Sequence, residues 1–229
     1  MAPVSFSVNP EYAQITEIVP GLCICGVSSL TPVNIEKYNI SLIINATNEV
    51  PNIRALGSIP RIKLWLEDTP QASIYSELVL QAEQIEAVIA GGGNVLVHCV
   101  AGVSRSATIC LAFLTKFRCS SLRQAYQLMA SKRPLVRPNI GFWRQLIAFE
   151  QEVKQNVASV HLVRDKLHPD LLIPDVYEEN AAEVTALKPD GSKEEGLCSD
   201  ERRGRRNSGG KLKFQPVLDP VLECVEAAA

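Results

Sequence analysis

Five stretches carry the short apolar runs and alternations that mark β-strands: Gln14–Val19, Gly21–Cys25, Leu42–Ala46, Arg61–Leu66 and Asn94–Cys99. Elsewhere the apolar period is that of helices. Thr31 is placed to cap a short helix through Tyr38, with Pro32 in its first turn, where a missing N–H leaves no bond unmade. Ser73–Ala90 reads as a long amphipathic helix that Gly91, Gly92 and Gly93 stop. Another helix follows Arg105 through Phe117. Ser120 or Ser121 caps the next, Leu122–Ser131, which Pro134 closes, and Asn139 caps a last one from Gly141 to about Asn156. Strands alternating with helices in this way predict an α/β fold, with a central, mostly parallel sheet flanked by helices in two or three layers.

The pattern breaks near Asn180. Half the residues of Lys188–Lys213 are charged and hardly any are large and apolar, so this stretch cannot bury enough surface to offset its ordering entropy. Residues 180–229 are therefore predicted to be a disordered charged tail. Its RRGRR run stands among acidic residues and reads as a solvated charge run rather than a nucleic-acid patch.

The whole-chain numbers narrow the class. Apolar residues at 46% and charged residues at 21% fit a globular domain, and a net charge of −2 gives no general attraction to nucleic acid or anionic membrane. No apolar run approaches the roughly 20 residues that span a bilayer. The start, MAPVSFSVNP, lacks a secretory pattern and a glycine after Met1, and ECVEAAA is not a prenylation box. No membrane partner is expected, and the expected compartment is the cytoplasm, with the nucleus as a second site. The cysteine count is seven, odd and irregularly spaced, with no CxxC and no His pair to build a zinc site. These thiols read as buried or incidental ones in a reducing compartment, and no metal or cofactor is expected.

Cys99 is the exception. Val95–Ala107 reads VLVHCVAGVSRSA: a buried strand ends at Cys99, a short loop containing Gly102 follows, and a helix starts near Arg105. Backbone amides of such a loop converge at a helix N-terminus, where the dipole favours an anion. Val100, Ala101, Gly102, Val103, Ser104 and Arg105 would thus hold a phosphate, while the same field favours a thiolate on Cys99. Arg105 adds a planar fork for two equatorial phosphate oxygens. An arginine in a helix's first turn is electrostatically poor unless an anion offsets it.

HCVAGVSRSAT resembles the HC-x5-R-S signature of the protein tyrosine phosphatase superfamily, and most closely that of small atypical dual-specificity phosphatases. The likeness runs from about Gln14 to Glu178 and includes INATNE (Ile44–Glu49), LEDTP (Leu66–Pro70), RPLVRPNIGFWRQL (Arg133–Leu146) and IPDVYE (Ile173–Glu178). It implies a cysteine-phosphatase fold with a catalytic domain over residues 12–160. An N-terminal segment, 1–11, precedes the domain, and a C-terminal extension, 161–179, packs on it. The resemblance also implies that Asp68 is the general acid, in preference to its neighbour Glu67, and that Asn139 braces the phosphate loop. Read from the residues alone, Asp68 is a turn former and Asn139 a helix cap.

Three other residues complete the candidate site. Ser106 is placed to donate a hydrogen bond to the sulfur, His98 to orient the loop from a buried position, and Asn45 to support it. The activity implied is hydrolysis of phosphotyrosine and phosphoserine or phosphothreonine on proteins through a phosphocysteine intermediate, with MAP kinases or other signalling proteins among the substrates considered. The loop lacks the lysines of relatives that act on inositol phospholipids. Two other readings stay open: a phosphatase for RNA, lipid or glycan, and a phosphoprotein-binding pseudophosphatase. A thiotransferase would need a resolving cysteine, and Cys110 and Cys119 fall in helical patterns instead. The sequence leaves the oligomeric state open.

Overall fold

The computed structural model describes residues 13–178, and a five-stranded sheet organises them. In chain order the elements are β1 (Thr16–Val19), β2 (Leu22–Cys25), α1 (Pro32–Lys37), β3 (Ile40–Asn45), β4 (Arg61–Lys63), α2 (Tyr75–Ala90) and β5 (Asn94–His98). Then come α3 (Arg105–Phe117), α4 (Leu122–Lys132), α5 (Ile140–Lys154) and a hairpin of β6 (Leu162–Arg164) and β7 (Leu172–Pro174). The strand order is β1-β2-β5-β3-β4, with β1 antiparallel to β2 and every other pairing parallel. The fold is the expected α/β one. The segment 1–11 and the tail 180–229 lie outside the described residues.

β5 is the central strand, and every one of Val95, Leu96, Val97 and His98 is buried. Cys25 on one side and Asn45 on the other both pair with His98, so the chain leaves the middle of the sheet at Cys99. In open α/β sheets this carboxyl edge is where ligands bind. One sheet face, with Ile24, Ile44, Val95 and Val97, packs against α2 and α3, on which α5 lies in turn, and the same core holds the fully buried Phe113, Phe142, Trp143 and Phe149. The other face, with Cys23, Ile43 and Leu96, is covered by α1 through Ile35 and by Leu56 in a short turn. Burying both faces explains why the β5 segment is apolar throughout rather than alternating.

The helix caps follow the sequence: Thr31, Ser121 and Asn139 accept from the backbone N–H of Asn34, Gln124 and Phe142. Differences come from long-range contacts. α2 starts at Tyr75 rather than Ser73, because Gln145 of α5 caps it: its Oε1 accepts from the N–H of Ile74 and Tyr75 at 2.8 and 2.9 Å. β4 ends at Lys63: Leu64 N–H makes the last ladder bond, to the Asn45 carbonyl at the end of β3, and Leu66 N–H then turns back to the Leu64 carbonyl at 2.9 Å. α5 closes at Gln155, which takes the left-handed conformation. The hairpin β6–β7 was not anticipated. After it, Val176 is buried and Tyr177 accepts a hydrogen bond from Trp143 Nε1 at 2.7 Å.

Candidate active site

Between β5 and α3 the loop Cys99–Arg105 is held from outside by its carbonyls. Val100 O accepts from Val27 N at 2.9 Å, Ala101 O from Arg133 Nη2 at 3.2 Å and Gly102 O from Arg133 Nε at 2.8 Å. Val103 O accepts from Arg137 N at 2.9 Å, and Ser104 O from Thr108 N and Oγ1, both at 2.9 Å. With every one of these carbonyls engaged elsewhere, the loop's amides are the groups left for an anion. Gly102 is obligatory: its φ is +69°, and an added Cβ would lie 2.7 Å from both Arg133 Nη2 and the Cys25 carbonyl.

Cys99 is 2% exposed, and two donors meet its sulfur: Gly102 N at 3.2 Å and Ser106 Oγ at 3.1 Å. Both are groups that stabilise negative charge on Sγ. Arg105 opens α3 and is itself buried. Its guanidinium meets Glu49 in a two-pronged ion pair, Nη1 to Oε2 and Nη2 to Oε1, each 2.7 Å. Nη1 also donates to the Leu66 carbonyl at 3.1 Å, and Nε lies 3.6 Å from Asp68 Oδ2 without a hydrogen bond. Although burial works against its charge, the bonds and charge of Glu49, with Cys99 and Asp68 nearby, hold the Arg105 pKa above its ordinary value. Against the same opposing effect of burial, Arg105 holds the Glu49 carboxyl below the usual range.

Asp68 is fastened to this loop. Ser104 Oγ donates to its Oδ1 at 2.6 Å and Asn139 Nδ2 donates to the same oxygen at 2.9 Å. Asn139 N donates to Ser104 Oγ at 3.2 Å, so the residue that caps α5 also ties the acid to the loop. The close approach needs Gly141: an added Cβ would fall 1.9 Å from the Pro70 carbonyl. Glu67 is exposed. Asn45 is buried one strand away, and its contacts go to Thr47, Val50 and Asn52 rather than to the phosphate loop. It shapes the turn that carries Glu49.

His98 is buried, with Nδ1 3.4 Å from the Cys99 carbonyl, and burial pushes its pKa down to about 4, so the imidazole is neutral near pH 7. Cys110 is fully buried in α3, and burial pushes its thiol up, away from the reactive thiolate. Glu49 and Arg133 were missed in the sequence. Each stands inside a stretch noted for its resemblance, INATNE and RPLVRPN, but nothing in those stretches names a partner 56 or 31 residues away. Among the described residues, no group of three His, Cys, Asp or Glu is placed to hold a metal ion, and no helix is long and apolar enough to cross a membrane.

A thiol at the end of the central strand, an amide-lined loop and a guanidinium closing it define a cysteine-dependent phosphatase. The sequence comparisons place it more finely: residues 22–152 match the family model for the dual specificity phosphatase catalytic domain, and the chain belongs to that family. It is 42% identical over 147 residues to mouse (Mus musculus) dual specificity protein phosphatase 14, covering 64% of this chain and 72% of the relative. It is 36% identical over 187 residues to cattle (Bos taurus) dual specificity protein phosphatase 18, covering 81% and 96%. Among solved structures, a mouse dual specificity phosphatase complexed with zinc tungstate superposes with a TM-score of 0.59 at 30% identity, covering 67% of this chain and 94% of that one. The protein is accordingly a cysteine-based dual-specificity protein phosphatase, and its substrates are phosphoproteins.

Proposed function

We propose that Cys99, Arg105, Asp68 and Ser106 carry the reaction, with residues 12–160 as the catalytic unit and 161–179 as an extension packed on it. The Cys99 thiolate attacks phosphorus, forming the S–P bond as the ester P–O bond breaks. Asp68 gives its proton to the departing oxygen of tyrosine, serine or threonine. Amides of Val100, Ala101, Gly102, Val103 and Ser104, with Arg105, stabilise the three equatorial oxygens. Water then attacks phosphorus and loses a proton to the Asp68 carboxylate, while the sulfur leaves as a thiolate eased by the Ser106 hydroxyl. Inorganic phosphate and the starting enzyme result. In this scheme His98, Asn139 and Asn45 are positioning residues, acting through the loop, through Asp68 and through Glu49 respectively.

The observation that carries the reading is the convergence on one pocket of the Cys99 sulfur, its two donors, the Arg105 fork and the tethered Asp68. One solved neighbour is complexed with zinc tungstate, whose oxyanion is of the class this loop would take. Cytoplasmic or nuclear phosphoproteins, MAP kinases among them, are the substrates we propose. The test is phosphate release from aryl phosphate and from phosphotyrosine, phosphoserine and phosphothreonine peptides. Cys99→Ser should abolish turnover while retaining peptide binding. Asp68→Asn should slow release of alkyl groups, which depart poorly, far more than of nitrophenolate. A Cys99→Ser protein as active as wild type would remove the scheme.

A further inference from the structure

Between β4 and the acid the chain reads Leu64-Trp65-Leu66-Glu67-Asp68. Leu64 and Leu66 are buried and joined across a tight turn, Leu66 N donating to Leu64 O at 2.9 Å, which leaves Trp65 at the apex, where it is 75% exposed. Its backbone is fixed on both sides. Leu64 N donates to Asn45 O at 2.8 Å, while Leu66 O accepts from Asn48 N at 3.2 Å and from Arg105 Nη1 at 3.1 Å. The indole therefore stands one residue from a carbonyl that touches the active-site guanidinium and three residues from Asp68. Its pose is held as well: Lys63 Nζ lies 4.8 Å from the ring centroid and donates to Val50 O at 2.5 Å, in the turn that carries Glu49. A scattered exposed leucine needs no explanation, but an open indole held beside the segment that contacts the active-site guanidinium has the geometry of a binding anchor.

We propose that Trp65 is a specificity-determining residue whose open face receives a large apolar or aromatic side chain flanking the phosphorylated residue of the substrate. This rests on the phosphatase reading above and deepens it. The choice of occupant follows from charge. Lys63 already places a cation against the ring, which leaves the indole better suited to an uncharged ring or branched chain than to a second cation. Glu67, exposed two residues from Trp65, disfavours an acidic neighbour.

The test uses the full chain and phosphopeptides that share one phosphoresidue but carry Phe, Leu, Arg, Glu or Gly on either side of it. Each kcat/KM is taken relative to that of a small aryl phosphate. Wild type should favour Phe and Leu over Gly by about fivefold, with the difference in KM, as expected for one added apolar or stacking contact. Trp65→Ala should erase that ranking, and Trp65→Phe should keep most of it. An unchanged ranking in Trp65→Ala, or a wild-type preference for Arg, overturns the proposal. Wild-type turnover of aryl phosphate separates the two readings: without it the phosphatase reading falls, and with it but no flank preference only the role of Trp65 falls.

Discussion

Arg105 is held in place by acceptors from two other segments, and its usefulness to a phosphate depends on them. Glu49 occupies one edge of the fork with two short bonds, which leaves Nε unpartnered beside Asp68. A buried guanidinium without that carboxylate would lose both its pose and its compensation. Glu49→Gln should therefore lower kcat/KM for aryl phosphate by about tenfold and weaken inhibition by vanadate, since a neutral amide offers only one acceptor to the fork. Enzyme kinetics with a vanadate titration checks this.

His98 gives a pH prediction at the same scale. Its folded pKa, about 4, lies below the ordinary 6.5, so between these values the unfolded chain binds the proton and the folded one does not. The stabilising contribution is complete above about pH 6.5 and is lost as pH falls towards 4, amounting to about 3 kcal/mol at most. Glu49, held low by Arg105, adds to the loss in more acidic solution. Urea midpoints that fall steadily from pH 7 to pH 4.5, with the His98 ring resonances still those of the neutral form at about pH 5.5, would bear this out.

At the scale of elements, the site is where two helix starts and one turn converge. α3 begins on the phosphate loop, α5 begins at Asn139, and the Asp68 turn rests against both. Gly141, in the first turn of α5, admits the Pro70 carbonyl where no side chain fits. Gly141→Ala should push the acid turn away from the loop while Cys99 and Arg105 keep their places. The expected result is a loss of about tenfold or more in kcat for alkyl phosphates and a smaller loss for nitrophenyl phosphate, because only the poor leaving group depends strongly on the proton. Comparing the two substrates separates a displaced acid from a damaged phosphate loop.

For the molecule as a whole, the β6–β7 segment is joined to the helical layer through a small aromatic cluster. Trp143 meets Tyr126 and Tyr177 with ring centroids 5.3 and 5.8 Å apart, and Trp143 Nε1 donates to the Tyr177 hydroxyl. Tyr177→Phe keeps the ring and strands that indole N–H, which should cost about 1–3 kcal/mol and lower Tm by a few degrees in a domain of this size. Thermal unfolding by circular dichroism measures it, and an unchanged Tm would show the extension to be energetically separate from the core.

The sequence by itself determined the alternation of strands and helices, the helix caps at Thr31 and Asn139, a third cap narrowed to Ser120 or Ser121, and the loop from Cys99 to Arg105. Each of these rests on neighbours within a few residues, where spacing and side-chain chemistry suffice. What only the tertiary structure decided are the pairings across long stretches of chain: Glu49 with Arg105, Arg133 with the loop carbonyls, Gln145 capping α2, Ser104 and Asn139 on Asp68, and Asn45 in the Glu49 turn. A polar side chain carries no mark of its partner in its local sequence. The parallel sheet selects that partner by placing chain segments far apart in sequence against one edge.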